Sequence, residues 1–172
     1  MTKALSAIEV RPAISCEDIE AARALFVEYA EALDYDTCFG NFDQEMADFP
    51  GPYLAPAGTL LIARTGAHAV GVVGLVEAGP KMAEMKRLYV QPRARGLGVG
   101  RDLAVRLLAD ARRLGYETVV LETLPRMVEA QALYRGLGFA EDTARSSSEV
   151  MKFSIKLSTS GQINSPSRAR IN

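Results

Sequence analysis

Short runs in which apolar and polar residues alternate, or in which apolar residues follow one another, occur at six places along the chain. Alternation with a period of two predicts a half-buried strand, and a compact apolar run of similar length is consistent with a fully buried one. The turn Gly66-Ala67 lies between the second and third runs and predicts a β-hairpin. The six predicted strands span residues 8–12, 59–63, 69–77, 85–90, 117–123 and 150–157.

Three longer segments carry apolar residues at every third or fourth position, which predicts amphipathic helices. The polar side of the first is acidic and includes Asp18, and Gly138 follows the third as an expected helix end. A mixed stretch between the first helix and the second strand predicts one short helix near residues 44–48. The three longer helices span residues 17–33, 99–114 and 127–137.

The order of these elements, β-α-(α)-β-β-β-α-β-α-β, is that of a mixed α/β fold. A chain of 172 residues is long enough for one domain with a substantial core. From Ser158 onward the sequence loses both apolar weight and periodicity. The expected organisation is therefore a domain over residues 1–157 and a flexible tail over residues 158–172.

Composition and charge argue against several classes of protein. The chain is 48% hydrophobic with a formal net charge of −1, so no global field draws it to nucleic acid or to an anionic membrane. It has neither a membrane-length apolar run nor the apolar core of a signal peptide, so a cytoplasmic location is expected. One histidine, His68, and two cysteines, Cys16 and Cys38, predict neither a metal site nor a disulfide framework.

The most informative segment is a glycine-rich turn between the strand at residues 85–90 and the helix at residues 99–114. Glycines allow the backbone to approach an anion closely, and the first turn of a helix adds unpaired N–H donors and the positive end of its dipole. Arg95 and Arg101 place positive charge on either side of this turn. The pattern therefore predicts a binding site for a phosphorylated ligand.

Two other glycine-rich phosphate motifs fit this turn less well. A P-loop needs Lys followed by Ser or Thr after its last glycine, and neither stands at that place. The dinucleotide motif G-x-G-x-x-G is incomplete here. Its third glycine would stand at position 101 or 103, depending on which glycine is taken as the first, and these positions are Arg101 and Leu103. Glu122, at the end of the next predicted strand, would be the ribose-binding acid of such a site. A dinucleotide-binding protein is the alternative that this leaves open.

The spacing Arg95-x-x-Gly98-x-Gly100 resembles the R/Q-x-x-G-x-G/A signature of the GNAT superfamily, the acyl-CoA-dependent N-acetyltransferases. The resemblance extends over roughly residues 8–157 and includes the strand that precedes the turn. It implies a fold in which a mostly antiparallel sheet is flanked by helices. In that fold the fourth and fifth strands splay apart to admit the cofactor.

A second segment, Ala130-x-x-Leu133-Tyr134-x-x-x-Gly138-Phe139, resembles the A-x-x-L-Y-x-x-x-G-F ending of the same family. Many members carry Asn three residues before that alanine, where this chain has Met127. An amide contact to the cofactor is therefore expected to be missing here or to come from the backbone.

The resemblance implies acetyl-CoA as the cosubstrate, with no metal. Backbone groups of the strand would contact the pantetheine arm, and amides of the turn would hold the pyrophosphate. The residues that the resemblance assigns to acetyl-CoA are Leu88, Tyr89, Val90, Arg95, Gly96, Leu97, Gly98, Val99, Gly100 and Arg101.

Acyl transfer to an amine needs a base for the ammonium proton and benefits from an acid for the departing thiolate. Tyr134, at the place of the family's tyrosine, is the candidate acid, since a phenol with a pKa of about 10 is protonated at neutral pH. Glu84 is the candidate base, directly or through water, and Glu122 is the alternative. Three more tyrosines, Tyr29, Tyr35 and Tyr53, lie in the segment that usually shapes the acceptor pocket in this family. Packing in the core or at its rim is the more ordinary role of such residues.

The function implied is therefore acetyl transfer from acetyl-CoA to a primary amine of a small or amino-acid-like molecule. Two alternatives are a peptide or protein acceptor and an acyl-CoA-binding sensor without turnover. Glu84 and Tyr134 favour an enzyme over a sensor, because binding alone needs neither. The sequence leaves the oligomeric state open, with a homodimer as one option.

Overall fold

A computed structural model of the protein describes residues 7–34 and 40–158. The expectations for Tyr35, for Cys38 and for all of the tail except Ser158 lie outside the described residues. Within the described ranges, no helix is long and apolar enough to cross a membrane.

The described residues form seven strands and four α-helices. Two single turns of 3-10 helix, Gly51–Tyr53 and Pro92–Ala94, complete the regular structure. The strands are β1 Ile8–Pro12, β2 Thr59–Thr65, β3 His68–Gly79, β4 Met82–Val90, β5 Thr118–Thr123, β6 Ala140–Glu141 and β7 Met151–Lys156. The helices are α1 Cys16–Ala32, α2 Phe42–Asp48, α3 Val99–Arg113 and α4 Val128–Gly136.

The described strands form one sheet in the order β1-β2-β3-β4-β5-β7-β6. Neighbouring strands are antiparallel except β4 and β5, which run parallel and are connected through α3. This confirms the predicted mixed, mostly antiparallel sheet. The six predicted strands and the helices are present, with ends moved by a few residues. The two-residue strand β6 was not predicted, because two residues carry no periodicity.

Each face of the sheet covers its own hydrophobic core. One core packs the buried side of α3, with Leu103 and Leu107, against Met85 and Val119. The other packs α1 and the segment around α2 against the opposite face, with the fully buried Phe26 near its centre. Helices therefore flank the sheet on both faces, as a domain with one central sheet requires.

Asp18 differs from the sequence-based expectation. The helical pattern placed it on the polar side of α1, yet it is only 4% exposed. Arg11 Nε donates to it at 3.1 Å and Arg64 Nη1 at 2.6 Å, both from strands beneath the helix. Ser15 caps the same helix end by accepting from the Asp18 N–H at 3.1 Å. A carboxylate in the first turn of a helix is thus buried because two arginines pair with it.

The centre of the sheet opens between β4 and β5. Only three residue pairs join these strands, ending at Glu84 and Val120. Beyond that point β5 stays paired with β7, whereas β4 stays paired with β3. The strands therefore part after Glu84, which is the predicted splay of the fourth and fifth strands.

Candidate active site

The splay leaves one edge of β4 without a partner strand among the described residues, from Met85 to Val90. Backbone N–H and C=O groups along an unpaired edge are able to bind an extended, amide-containing ligand as an added strand. A groove of about 940 Å³ runs along this edge towards the glycine-rich turn. Its opposite wall is formed by the start of α4 and the residues before it, including Arg126 and Leu133.

Nine of the ten residues assigned to the cosubstrate by resemblance line this groove. The exception is Leu97, whose side chain is 47% exposed and lines a separate apolar cavity with Ile8 and Val70. The nine residues in the groove are Leu88, Tyr89, Val90, Arg95, Gly96, Gly98, Val99, Gly100 and Arg101.

The turn has the geometry of an anion-binding loop. Gly96 and Gly98 have positive φ angles of 76° and 80°, a region that favours glycine. Gly98 is the N-cap of α3, and no atom lies within 4 Å of the place where a side chain would begin at either glycine. The turn therefore combines open backbone with the positive end of a fifteen-residue helix.

The charge of the groove suits a phosphorylated ligand. Three arginines, Arg95, Arg101 and Arg126, line it together with one carboxylate, Glu129. Arg95 also donates from Nε to the carbonyl oxygen of Val90 at 3.1 Å, which fixes its stem beside the end of β4. The open backbone, the helix N-terminus and the excess of positive charge together fit the pyrophosphate part of coenzyme A.

A β-bulge interrupts β4 in the middle of the groove. Tyr89 pairs with Val72 and Lys86 pairs with Gly74, so three steps along β4 face two along β3. Arg87, in the extra step, has a positive φ of 59°, which is uncommon for a residue with a side chain. In a regular strand, successive side chains point to opposite faces of the sheet. The extra residue of the bulge moves this alternation by one position, so the side chains after the bulge point to the face opposite to the one they would have in a regular strand.

The bulge is tied to α2 by a buried ion pair. Arg87 donates from Nε to Glu45 at 3.1 Å and also from Nη2, and its guanidinium lies 5.6 Å from the centre of the Phe42 ring. Tyr53 donates its hydroxyl to the same carboxylate. Burial pushes the pKa of Glu45 upward, but the hydrogen bonds from Arg87 and Tyr53 outweigh it, so the pKa is lowered. Sequence analysis missed this cluster, because its members lie on three elements with no common spacing.

A smaller cavity, of about 70 Å³, lies where the strands part. Both predicted catalytic residues, Glu84 and Tyr134, line it, as does the alternative base Glu122. The structure thus brings together residues separated by fifty positions in the chain. The small cavity adjoins the groove, because the two share the lining residues Tyr29, Leu33, Leu88, Met127 and Tyr134.

The two carboxylates of the small cavity have different surroundings. Burial raises the pKa of Glu84 above its ordinary value, and the nearby charge of Lys86 acts in the opposite direction. Glu122 is 41% exposed and pairs with Lys152 at 2.8 Å. A half-buried carboxylate with a raised pKa is the better proton acceptor, because it holds a proton more firmly.

Tyr134 is 6% exposed and is held by aromatic neighbours. Its ring centre lies 6.0 Å from that of Phe139 and 6.2 Å from that of Phe153. Met127 lies beside it at the junction of the two cavities, where its sulfur accepts from the hydroxyls of Tyr29 at 3.9 Å and Thr123 at 3.7 Å. A thioether therefore occupies the place where the family more often has an amide.

The other two described tyrosines expected near the acceptor pocket differ in position: one lines the cavities and the other lies in the core. Tyr29 lines both cavities and stacks on Tyr89 with ring centres 5.1 Å apart. Tyr53 is 1% exposed and packs in the core, so it shapes the site only through Glu45. In the part of the chain that the structure describes, no three His, Cys, Asp or Glu side chains are grouped to hold a metal ion.

The sequence profile described as the acetyltransferase (GNAT) family matches residues 19–139 of this chain, which is more than half of it. An uncharacterized N-acetyltransferase of Schizosaccharomyces pombe is 37% identical over 125 residues, covering 72% of this chain and 77% of the relative. An IAA acetyltransferase of Azospirillum brasilense is 38% identical over 82 residues, covering 47% of this chain and 54% of the relative.

Solved structures agree in fold. A GNAT-family acetyltransferase of Staphylococcus aureus superimposes with a TM-score of 0.74 at 18% identity, covering 88% of this chain and all of the other (100%). The Salmonella typhimurium protein yncA, solved with acetyl-CoA, superimposes with a TM-score of 0.70 at 18% identity and covers 95% of this chain and 100% of its own.

The chain belongs to the GNAT family of acetyltransferases. It is an acetyl-CoA-dependent N-acetyltransferase, which confirms the family assigned from the two sequence signatures. The dinucleotide-binding alternative and the sensor without turnover are both set aside by this result.

Proposed function

We propose that this enzyme transfers the acetyl group of acetyl-CoA to a primary amine of a small acceptor. Glu84 is the base, Tyr134 is the acid, and the acceptor enters the small cavity. The observation that carries the proposal is the position of this cavity. It lies at the splay, holds both residues and adjoins the groove that suits acetyl-CoA.

Acetyl-CoA would lie along the groove. The free edge of β4 offers hydrogen bonds to the two amides of the pantetheine arm, and the turn at Gly96–Gly98 offers its N–H groups to the pyrophosphate. Leu88 and Val90 form the apolar floor on which the arm would rest. This arrangement delivers the thioester to the end of the groove next to Tyr134.

The reaction then needs three proton movements. The acceptor ammonium gives a proton to Glu84, and the free nitrogen lone pair attacks the thioester carbonyl carbon. As the tetrahedral intermediate collapses, the carbon–sulfur bond breaks and the thiolate takes the hydroxyl proton of Tyr134. The nitrogen that has formed the amide bond still carries one extra proton, and its loss to the Tyr134 phenolate, directly or through water, restores the acid. The products are the acetylated amine and coenzyme A. Both groups face one cavity, so a single acceptor position serves both steps.

The dimensions of the small cavity favour a small acceptor over a peptide. Its volume is about 70 Å³, and Tyr29, Leu33 and Met127 line its junction with the groove. The name of the Azospirillum relative, an IAA acetyltransferase, is also that of an enzyme acting on a small molecule. A peptide acceptor is the second candidate, since the larger groove is more open to solvent than the small cavity.

The test is release of coenzyme A thiol from acetyl-CoA in the presence of a panel of small primary amines and of short peptides. Turnover that depends on a small amine supports the proposal, and mass spectrometry should find the N-acetyl product. Turnover with peptides alone would instead support the second candidate. Loss of product formation in a Glu84→Gln, Tyr134→Phe double variant would tie the reaction to this cavity.

A further inference from the structure

Two of the four charged residues that line the small cavity have an ion-pair partner outside its lining. Arg87 is bound to Glu45 through Nε at 3.1 Å and through Nη2. Glu122 is bound to Lys152 at 2.8 Å. Lys86 also lines the cavity, and among the described residues no carboxylate forms an ion pair with it. Within the described ranges, the cavity thus contains one cation whose charge is not balanced by an ion pair.

Lys86 lies close to the proposed base. It is two positions after Glu84 on β4 and precedes the bulge, so the two side chains project from the same face of the strand. Strand geometry separates their Cα atoms by roughly 6–7 Å. Lys86 is half-buried, and its charge acts on both Glu84 and Glu45. A cation and a proton acceptor therefore face one small space at the distance spanned by a small zwitterion.

We infer that Lys86 binds an anionic group of the acceptor while the acceptor amine faces Glu84. The substrate class would then be small zwitterions, in which a carboxylate lies a few bonds from a primary amine. This inference rests on the proposed function and narrows it. Lys86 would be a specificity-determining residue, since it contacts a part of the substrate that does not react.

Charge complementarity is the physical reason. A simple alkylammonium in this cavity would lie beside Lys86 and be repelled by it, which the Glu84 carboxylate offsets only while it is ionised. A zwitterion brings its own carboxylate, which neutralises Lys86 and turns the amine towards Glu84. Hydrogen bonds to charged groups are the stronger kind, so losing this one should lower kcat/KM for a zwitterion roughly 10- to 100-fold.

The experiment compares matched acceptors in matched variants. Each acceptor pair is an amino acid and its decarboxylated amine, such as glycine with methylamine and alanine with ethylamine. The variants are Lys86→Met, Lys86→Arg and, as a control, Lys81→Met. Lys81 is 67% exposed, pairs with Glu117 and lies outside both cavities. A shift of the melting temperature by acetyl-CoA shows that each variant is folded and holds the cosubstrate.

The quantity measured is the ratio of kcat/KM for the amino acid to kcat/KM for its amine. Comparing this ratio between wild type and variant cancels the difference in amine basicity. We expect the ratio to favour the amino acid in the wild type and in Lys81→Met, to be largely kept in Lys86→Arg, and to fall 10- to 100-fold in Lys86→Met.

Two results would overturn the inference alone: amines acetylated with no preference for the carboxylate, or a preference that Lys86→Met retains. A wild type that acetylates neither the amino acids nor the amines would overturn the proposed small-molecule function, and this inference with it.

Discussion

Glu84, the proposed base, lies in an unfavourable environment for its charge. It is the last residue of β4 paired to β5, and burial raises the pKa of its carboxyl. A carboxyl placed in this way is a stronger base than a solvated one, but its ionised form is less stable in the folded protein. Catalysis and stability should therefore respond in opposite directions when this carboxyl is removed.

The first prediction concerns the activity of Glu84→Gln. The variant keeps the shape of the side chain and cannot accept the ammonium proton. Its kcat/KM should fall most in the pH range above the pKa of Glu84 and below that of the acceptor amine. The deficit should shrink as rising pH deprotonates the amine in solution. A pH–rate profile measures this, and a variant that follows the wild type at every pH would leave Glu122 or water as the base.

The second prediction concerns the stability of the same variant. The folded-state pKa of Glu84 is raised above its unfolded value, so its contribution to stability is full below about pH 4 and is lost as pH rises through the folded pKa. Glu84→Gln should therefore melt at a higher temperature than the wild type at neutral pH and at a similar temperature near pH 4. Lower stability at neutral pH would mean that the carboxylate makes a favourable structural contact.

The third prediction concerns Tyr134. Phenylalanine at this position keeps the ring against Phe139 and Phe153 but removes the proton donor. Tyr134→Phe should lower kcat by roughly 10- to 10,000-fold if proton transfer limits the rate, with little change in the affinity for acetyl-CoA. Full activity of the variant, measured with saturating acetyl-CoA, would show that the thiolate leaves without an acid and that Tyr134 only packs.

At the scale of elements, the buried pair of Arg87 and Glu45 joins α2 to the bulge of β4. Their side chains are 6% and 13% exposed, so each charge depends on the other for compensation. Removing one partner of such a pair leaves a buried charge unpaired, which is far more costly than losing a pair at the surface. The position of α2 against the bulge of β4 depends on this contact.

The fourth prediction follows from that pair. Glu45→Gln should lower the free energy of unfolding by about 3 kcal/mol, because it leaves the Arg87 charge buried and weakens the hydrogen bond from Tyr53. Glu117→Gln breaks an exposed pair with Lys81 and should cost under about 1 kcal/mol. Urea unfolding of both variants makes the comparison, and equal losses would contradict the structural role given to Glu45.

The elements that sequence analysis predicted are those with a periodic pattern of their own. Strands, long helices and the glycine-rich turn each carry their signal in consecutive residues. The bulge at Arg87 does not, since its register depends on which residues of β3 lie opposite. The pairings of Glu45 and of Asp18 with arginines of other elements also have no local signal. For the site, the resemblance suggested the residues, while their common cavity and the position of Lys86 came only from the fold.

At the scale of the whole molecule, the sheet is divided by the splay into halves joined by three residue pairs. A ligand lying between β4 and α4 would contact both sides of this division. Binding to the folded state alone stabilises it by about 2.7 kcal/mol at a ligand concentration one hundred times the Kd. For a chain of this size, that corresponds to a melting temperature higher by about 5–10 °C.

The fifth prediction uses that shift to test the glycine-rich turn. Gly98→Val should abolish the shift caused by acetyl-CoA, since a branched side chain strains the positive φ and blocks the approach of a phosphate. Gly115→Val is the matched control, because Gly115 also has a positive φ, of 90°, and open space around it, at the far end of α3. The control should lose similar stability and keep the shift, whereas a retained shift in Gly98→Val would exclude the pyrophosphate from this turn.

The unpaired edge of β4 also bears on self-association. A row of free backbone donors and acceptors is the part of a sheet that most readily recruits a strand from another chain. Here that row lies at the bottom of a groove whose far wall is the start of α4. A slender arm of amides and methylenes needs less room in such a groove than a polypeptide strand, which carries side chains on both faces. The wall formed by the start of α4 thus also limits the access of a foreign strand to this edge.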